Sequence, residues 1–303
     1  MVASQAWLNG QQIPFEQMRL PVWDLAVVAG ASISEMARTY AHQPFQLPQH
    51  VRRLCDSCDE LGFTLPYNSQ QLCEAAVGLV HQNTRVIPPG DDLGIVFFVT
   101  AGANRTYLGD GPLPGPHVGI HTFRLPFEVW KTAASEGVRL QIPERKQISS
   151  HALPVHRKIR NRLHWWLADR DANAIEAGSR ALLLNEAGFV TETSAAAFYA
   201  VIDGTICSPA DDVLDSMSRK LVERAAQALG IGFQLKNLKP TDISQASEAF
   251  LSSTPCALLP VKSISGHNMG NDFKVLPRLL HWWEQTTGVH PQRQIRESKA
   301  PPT

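Results

Sequence analysis

The sequence predicts an α+β fold in two domains, because its strand and helix signals are mixed without the regular strand-helix-strand alternation of a doubly wound sheet. Residues 5–20 alternate in polarity and turn at Asn9-Gly10, which predicts a hairpin that opens an antiparallel sheet. Residues 46–63 carry apolar side chains at helical spacing. The apolar run Leu93–Thr100 (LGIVFFVT) is rich in β-branched and aromatic residues and predicts a buried strand.

The first half of the chain continues with helices and then a proline-rich stretch. The helix over 46–63 is predicted to stop at Gly62, and residues 69–80 repeat its pattern. Its apolar stripe consists of Val51, Leu54, Cys55, Cys58 and Leu61. Prolines recur between positions 112 and 126, which predicts exposed strand edges and a connection there. We therefore expect the boundary between the two domains near this stretch.

The second half again mixes short strands and helices. The signals predict strands around 138–142, a helix over 161–177 closed by Gly178, a strand pair at 181–185 and 198–202, a helix over 218–229, and strands at 249–253 and 257–261. The polar, proline-bearing end of the chain predicts disorder. The predicted organisation is an N-terminal α+β domain at 1–122, a connection at 123–135, a C-terminal α+β domain at 136–287 and a tail at 288–303.

Composition narrows the classes of function. The chain has 303 residues, of which 44% are hydrophobic, so it can bury a sizeable core. Its 28 basic and 28 acidic residues balance, which argues against nucleic acid as a partner and favours a small molecule. No secretory signal or apolar membrane-length run is present, so we expect a cytoplasmic protein without a membrane span. The odd number of scattered cysteines, five, indicates reduced thiols, and Cys55 and Cys58 indicate core packing and no metal site.

Several motifs occur in a fixed order along most of the chain. They are WLNGQQIP, LPVWDLAVVAGASISEMARTY and QLPQHVRRL near the start, then HRKIRNRL at 156–163, FVTETSAA at 189–196 and LDSMSRK at 214–220. In this order the chain resembles the class IV (fold-type IV) family of pyridoxal 5′-phosphate (PLP) aminotransferases, which includes branched-chain and D-amino-acid aminotransferases and aminodeoxychorismate lyase. The resemblance runs from about Trp7 to Trp283. It implies a D-amino-acid aminotransferase-like fold, PLP bound where the two domains meet, and a homodimer.

The resemblance assigns two catalytic residues. Lys158 matches the lysine that holds PLP as a Schiff base and moves the substrate proton as general base and acid. Glu192 matches the glutamate that keeps the pyridine nitrogen protonated, so that the ring withdraws electrons from the substrate carbanion. By residue type alone, Lys158 belongs to a solvated basic run and Glu192 to an exposed strand end.

Other residues are candidates for the cofactor phosphate. Arg53 matches the arginine of the family's His-x-x-Arg-Leu helix, and its guanidinium can pair with a phosphate. Met217 and Ser218 open a predicted helix whose N–H groups and dipole favour an anion. Ser253 and Thr254 would complete the ring of donors.

The sequence departs from the family at substrate-recognition positions. Ala101 replaces the arginine of the family's Thr-Arg-Gly, so we expect the substrate carboxylate to be bound by Arg105, Arg160 or Arg162 instead, with Tyr107 nearby. The position before Glu35 carries Ser34 in place of a bulky aromatic, the glutamate motif ends in Ala197 in place of asparagine, and the phosphate-loop glycine is Ser216.

The function implied is transfer of an amino group between a small amino acid, branched-chain or D-, and a 2-oxo acid. Asn161-Arg162-Leu163 after Lys158 is similar to aminodeoxychorismate lyases, so a lyase that eliminates pyruvate is an alternative. A degenerate relative that only binds a ligand is another, and a nucleic-acid binder built on the basic run at 156–162 is a third. The residues leave the donor and its stereochemistry open.

Overall fold

The computed structural model describes residues 4–270 and 272–298. They form two compact units. The first contains the residues up to Leu125 together with Arg157–Asn161, and the second contains Pro126–His156 and the residues from Arg162 onward. The five residues 157–161, which include Lys158, thus join the first unit although both flanking segments belong to the second.

The first unit is an antiparallel sheet with helices. Among its described residues the strands are β1 (Gln5–Leu8), β2 (Gln11–Pro14), β3 (Ser32–Tyr40), β4 (Gln43–Phe45), β5 (Leu93–Thr100) and β6 (Val118–Arg124), in the order β2-β1-β6-β5-β3-β4. The helices are α1 (Leu25–Val28), α2 (Leu47–Glu60), α3 (Ser69–Asn83) and α4 (Arg105–Leu108), with short 3₁₀ turns at Phe15–Gln17 and Thr84–Val86.

Local sequence explains most of these elements. Asn9 and Gly10 adopt positive φ angles of 49° and 87°, as a tight hairpin turn between β1 and β2 requires. The hairpin and the strand β5 are therefore confirmed as predicted. The apolar stripe of α2 packs with α3 against one face of the sheet and forms a core that includes Ile33, Ala37, Val51, Leu54, Leu72, Ile95, Phe97 and Ile120.

The prediction of exposed strand edges at 112–126 is wrong for the second part of that stretch. β6 lies inside the sheet, hydrogen-bonded to β1 on one side and β5 on the other. The prolines at 112–116 all precede the strand, so every residue of β6 keeps the N–H that an interior strand needs. Gly119 is needed within it, because a Cβ there would lie 2.4 Å from the Phe98 ring.

The second unit is built on a larger mixed sheet. Its helices are α5 (Phe127–Glu136), α6 (Leu163–Ile175), α7 (Met217–Ala228), α8 (Pro240–Ile243), α9 (Val275–Thr287) and α10 (Pro291–Glu297). Its strands are β7 (Val138–Gln141), β8 (Arg180–Leu184), β9 (Val190–Thr193), β10 (Ala197–Ile202), β11 (Thr205–Ser208), β12 (Phe233–Leu235), β13 (Glu248–Ser253), β14 (Ala257–Ile264) and β15 (His267–Asn268). Across the described residues the order is β12-β11-β10-β13-β14-β7-β8-β9, with β15 beside β14.

Pairing within this sheet differs from the prediction at one place. β8 and β10 are not partners, because β9 follows β8 through a turn at Gly188 and pairs with it antiparallel. β10 pairs with β11 and β13. The expected connection at 123–135 is mostly the helix α5, so the break between units falls between Leu125 and Pro126.

The expected disorder of the tail is also wrong where the structure describes it. α10 packs against α5, and Ile295 is fully buried. The Arg296 guanidinium donates a hydrogen bond of 2.6 Å to the Ala134 carbonyl at the end of α5. The expected disorder of residues 299–303 lies outside the described residues. No helix in residues 4–270 and 272–298 combines the length and apolarity that crossing a membrane requires, and the five cysteines are free thiols.

Candidate active site

Lys158 lies at the edge of β3 in the first unit. β4 pairs with β3 only at residues 38–40, so the first half of β3 has an edge to which residues 157–161 add. The Ser34 N–H donates a 2.9 Å hydrogen bond to the Lys158 carbonyl, and the Arg160 N–H donates a 2.9 Å hydrogen bond to the Ser32 carbonyl. Strand-like pairing thus holds the backbone of Lys158 in place.

The basic run around Lys158 is engaged by the fold. The Arg157 guanidinium pairs with Glu60 at the end of α2, with Nε 2.7 Å from Oε2. In the second unit, the Arg162 guanidinium donates to the Ser194 carbonyl. The interpretation of 156–162 as a solvated basic run therefore does not hold for Arg157 and Arg162.

A buried ionic cluster fixes Arg53. Nε and Nη2 of Arg53 donate to the two Glu35 carboxylate oxygens at 2.6 and 2.7 Å, and His50 Nδ1 lies 3.0 Å from Glu35 Oε1. All three side chains are buried, and the neighbouring Arg52 is exposed. Burial alone would raise the pKa of Glu35, but the charges of Arg53 and His50 and their hydrogen bonds hold it well below its usual range.

This cluster selects Arg53 over Arg52 as the residue with a fixed guanidinium. The two hydrogen bonds to Glu35 use one edge of a group that carries five N–H donors. Glu35 therefore orients Arg53 in a buried setting. The sequence placed Glu35 in a motif but did not reveal its contact with Arg53 and His50. That contact arises because β3, which carries Glu35, packs against α2.

In the second unit, the side chain of Glu192 is held by a hydrogen bond from a backbone N–H group. It lies on β9, and its Oε1 accepts a 3.2 Å hydrogen bond from the Leu214 N–H. The loop that carries Leu214 is fixed by Asp212, whose carboxylate accepts from Asn185 Nδ2 at 3.0 Å and from the Ser150 N–H at 3.1 Å. Glu192 is thus oriented by a loop that leads directly into α7.

A chain of buried hydroxyls leads to the start of α7. Ser216 caps the helix by accepting a 3.3 Å hydrogen bond from the Arg219 N–H. Its Oγ lies 2.9 Å from Ser218 Oγ, and Ser252 Oγ donates to Ser218 Oγ at 2.9 Å. The Tyr199 hydroxyl lies 2.8 Å from Ser252 Oγ. Met217 and Ser218 therefore open the helix, as expected, with Ser216 in the capping position.

Tyr199 and Ser252 were missed by the sequence prediction, which selected Ser253 and Thr254 in the same segment. Ser253 Oγ accepts a 3.4 Å hydrogen bond from the Cys256 N–H in the turn after β13. Strand alternation alone places Ser252 on the same strand face as Phe250. Only the structure shows that the Tyr199 ring stacks on Phe250, with 4.7 Å between the ring centroids.

The candidate substrate residues lie in different units. Arg105 and Tyr107 are exposed on the short helix α4 of the first unit, where 62% of Tyr107 is accessible. Arg162 lies in the second unit just before α6. Ala101, at the position of the family arginine, binds Ala31 through its backbone, with its N–H 3.1 Å from the Ala31 carbonyl.

Comparisons with known proteins agree on one family. Residues 32–264 match the family described as amino-transferase class IV. A probable branched-chain-amino-acid aminotransferase of Rickettsia conorii is 24% identical over 282 residues, which cover 90% of this chain and 92% of that protein. The branched-chain-amino-acid aminotransferase of Escherichia coli K12 is 23% identical, with 88% and 87% covered.

Solved structures show the same fold. The branched-chain aminotransferase of Thermoproteus uzoniensis, solved with norvaline, matches with a TM-score of 0.84 at 24% identity over 95% of this chain and 96% of that one. The T.th. branched-chain amino acid aminotransferase complexed with N-(5′-phosphopyridoxyl)-L-glutamate matches with a TM-score of 0.82 at 26% identity and 95% coverage of each chain. The predicted α+β fold of fold-type IV enzymes is confirmed. Because the match to the family covers more than half of this chain, the chain belongs to the class IV aminotransferase family.

Proposed function

We propose that this chain is a PLP-dependent aminotransferase that transfers the amino group of a small amino acid to a 2-oxo acid. The observation that supports this best lies within the second unit. There, a carboxylate held by a loop amide, Glu192, is followed along the chain by a helix start lined with buried hydroxyls. The branched-chain aminotransferases among the relatives suggest a branched-chain amino acid as the donor, and a D-amino acid is the other class to test.

The residues fit PLP as a cofactor. PLP carries a dianionic phosphate and a basic ring nitrogen, so it needs donors at one end and a carboxylate at the other. The N–H groups of Met217 and Ser218, the Ser218 hydroxyl and the helix dipole of α7 suit the phosphate. The Glu192 carboxylate suits the protonated ring nitrogen. Arg53, Ser253 and Thr254 are the proposed additional phosphate donors.

Lys158 is the proposed residue for covalent attachment and proton transfer. When bound, PLP supplies an electron sink for the carbanion left after an amino acid loses its α-proton. Lys158 would hold the cofactor until the donor's amino group takes its place. Its amine Nζ would then accept the proton from the donor's Cα and deliver it to C4′, the cofactor carbon that had been bonded to Lys158. The backbone pairing with Ser34 and Ser32 limits where that amine can reach.

We also propose that Arg105 or Arg162, with Tyr107, binds the substrate carboxylate in place of the arginine that Ala101 replaces. A carboxylate in a dry pocket without a partner costs several kcal/mol, so a cationic donor is required. The proposed assembly is a homodimer.

A lyase is the second candidate function. It is favoured by Asn161-Arg162-Leu163 after Lys158 and by Arg105 two residues before Tyr107, which resemble aminodeoxychorismate lyases. A lyase would release pyruvate from aminodeoxychorismate without any added 2-oxo acid acceptor. A transaminase would release a 2-oxo acid from an amino acid only once per site until an acceptor is added.

The test is absorbance spectroscopy of the purified protein during titration with a panel of L- and D-amino acids, followed by 2-oxoglutarate. We expect loss of the cofactor band with one class of donor and its return with the acceptor. Lys158→Ala should abolish covalent cofactor, and Lys146→Ala, at another half-buried lysine, should not. Borohydride reduction with the cofactor mapped to a different lysine would overturn the assignment, and no cofactor band at all would favour a degenerate binding protein.

A further inference from the structure

The buried hydroxyl chain in the second unit has one more proton than it uses. The chain Tyr199–Ser252–Ser218–Ser216 contains four hydroxyl groups and three hydrogen bonds between them. Each hydroxyl brings one proton, and each bond uses one. One proton is therefore left to donate elsewhere.

The direction of the chain shows where that proton lies. Ser252 donates to Ser218, so the single proton of Ser252 is used and Tyr199 must be the donor to Ser252. The bond between Ser216 and Ser218 takes one of their two protons, whichever of them donates. The unused proton is consequently on Ser216 or Ser218, at the first turn of α7.

Burial prevents water from satisfying that donor easily. Tyr199 and Ser252 are 0% and 1% exposed, and Ser218 and Ser216 are 6% and 7% exposed. Within residues 4–270 and 272–298, these two serines make no further side-chain hydrogen bond except the one that Ser216 accepts from Arg219. Burial raises the pKa of Tyr199 well above its usual range, so Tyr199 stays protonated and remains a donor at any working pH.

We propose that Tyr199 and Ser252 are positioning residues of the phosphate site, which direct the remaining hydroxyl proton at the start of α7 toward the cofactor phosphate. The proposal rests on the proposed function, because it takes the anion at α7 to be the phosphate of PLP. Neither residue contacts the phosphate itself. Without the Tyr199 hydroxyl, the proton of Ser252 is no longer directed toward Ser218. Ser218 then loses the donor that determines the direction of its own proton.

The experiment compares PLP with pyridoxal, which lacks the phosphate. Apoprotein of the wild type, Tyr199→Phe and Ser252→Ala is titrated with each ligand. We expect both variants to raise the dissociation constant of PLP about tenfold, the scale of one oriented hydrogen bond to an anion. The dissociation constant of pyridoxal should change less than about twofold. The ³¹P resonance of bound PLP should also shift in both variants, which a loss of stability alone would not cause.

Two further variants separate positioning from general damage. Ser252→Thr keeps the hydroxyl and should restore wild-type PLP binding. Ser179→Ala removes a different buried hydroxyl, one that donates to the Ala172 carbonyl at 2.8 Å, and should leave binding unchanged. Equal weakening of PLP and pyridoxal, or unchanged PLP binding in both Tyr199→Phe and Ser252→Ala, would overturn the proposal.

Titration with inorganic phosphate distinguishes a failure of the positioning role from a failure of the proposed function. If the wild type forms no covalent adduct with PLP, the proposed function fails, whereas phosphate binding that Tyr199→Phe weakens about tenfold still supports the positioning role. If phosphate binds equally to the wild type and Tyr199→Phe, or to neither, the positioning role is wrong.

Discussion

The Glu35 carboxylate orients a predicted site residue although it is not itself predicted to touch the cofactor. It receives two hydrogen bonds from Arg53 and one from His50 inside the core of the first unit. A charged guanidinium is costly to bury without such a partner. Under the proposed role of Arg53 at the phosphate, stability and cofactor binding would depend on the same carboxylate.

We expect Glu35→Gln to destabilise the protein by about 3 kcal/mol at pH 7, because it leaves the buried Arg53 without its counter-charge. The folded pKa of Glu35 lies below its ordinary value of 4.5, so the unfolded state takes up a proton first. The stabilisation is thus fully present above pH 4.5 and is lost as the pH falls toward the folded pKa. Urea unfolding of the wild type and variant at pH 7 and pH 3.5 checks this, and an equal difference at both values would contradict it.

His164 offers a second pH dependence. Burial, with a smaller contribution from the charge of Arg162, lowers the pKa of His164 from 6.5 to about 4, and neither ring nitrogen has a hydrogen-bond partner in the described part of the chain. Between these values the unfolded state holds a proton that the folded state lacks, so stability falls as the pH drops from 6.5 to 4. His164→Gln should flatten that slope, and His151→Gln, at an exposed histidine, should not. NMR should show no titration of the His164 ring above pH 5.

At the residue scale, the sequence predicted candidate residues from their spacing within one motif, but it did not predict side-chain contacts between residues of different motifs. Its spacing from His50 on one helix selects Arg53 over Arg52, and the structure shows Arg53 buried and paired with Glu35. Tyr199 and Ser252 are 53 residues apart, and their contact depends on the register between β10 and β13. A single sequence contains no direct signal for that register.

At the scale of elements, Lys158 depends on a strand-like segment that periodicity could not reveal. Residues 157–161 are too short and too polar to show an alternation, yet they pair with β3 through Ser32 and Ser34. The helices α2, α3 and α7 are long and periodic, so their predicted bounds agree with the structure within a few residues. β6 was misjudged because the prolines before it dominated the pattern.

We expect Arg160→Pro to weaken PLP binding by more than about tenfold, whereas Arg160→Ala should change it less than twofold. Proline lacks the N–H that donates to the Ser32 carbonyl, and alanine keeps it. The measurement is titration of each apoprotein with PLP, followed by borohydride reduction to count cofactor on Lys158. Equal loss in both variants would show that the Arg160 side chain, and not the backbone pairing, matters.

Helix α9 is capped from another element. The Glu248 carboxylate on β13 accepts hydrogen bonds from the N–H groups of Lys274, Val275 and Leu276 at 2.6, 2.7 and 3.1 Å. Glu248→Ala should cost about 2–4 kcal/mol, because it leaves buried helix-start donors without an acceptor. Exposed Glu223→Ala is the control, with an expected change within about 0.5 kcal/mol in urea unfolding. A small effect at Glu248 would mean that water replaces the carboxylate.

At the scale of the whole molecule, the fold class followed from the mixture of strand and helix signals, whereas the division of the chain did not. The sequence suggested one boundary, but the structure has residues 157–161 in the first unit and their neighbours in the second. Composition shifts reveal linkers, and a five-residue return of the chain changes composition very little. The first unit, to which Lys158 belongs, is therefore completed by residues 157–161, which follow a segment of the second unit.

This topology predicts that residues 1–125 alone form an incomplete unit. Without 157–161, the Ser34 N–H and the Ser32 carbonyl lose their partners, and the first half of β3 becomes an open edge prone to intermolecular pairing. A protein in which residues 1–125 continue through a Gly/Ser linker into 155–162 should be about 1–2 kcal/mol more stable in urea and aggregate less. It should also protect the Ser34 amide from hydrogen exchange, and the same protein carrying Arg160→Pro should lose most of the gain. If residues 1–125 alone match the linked version in stability and exchange, the returning segment is not needed to complete the sheet.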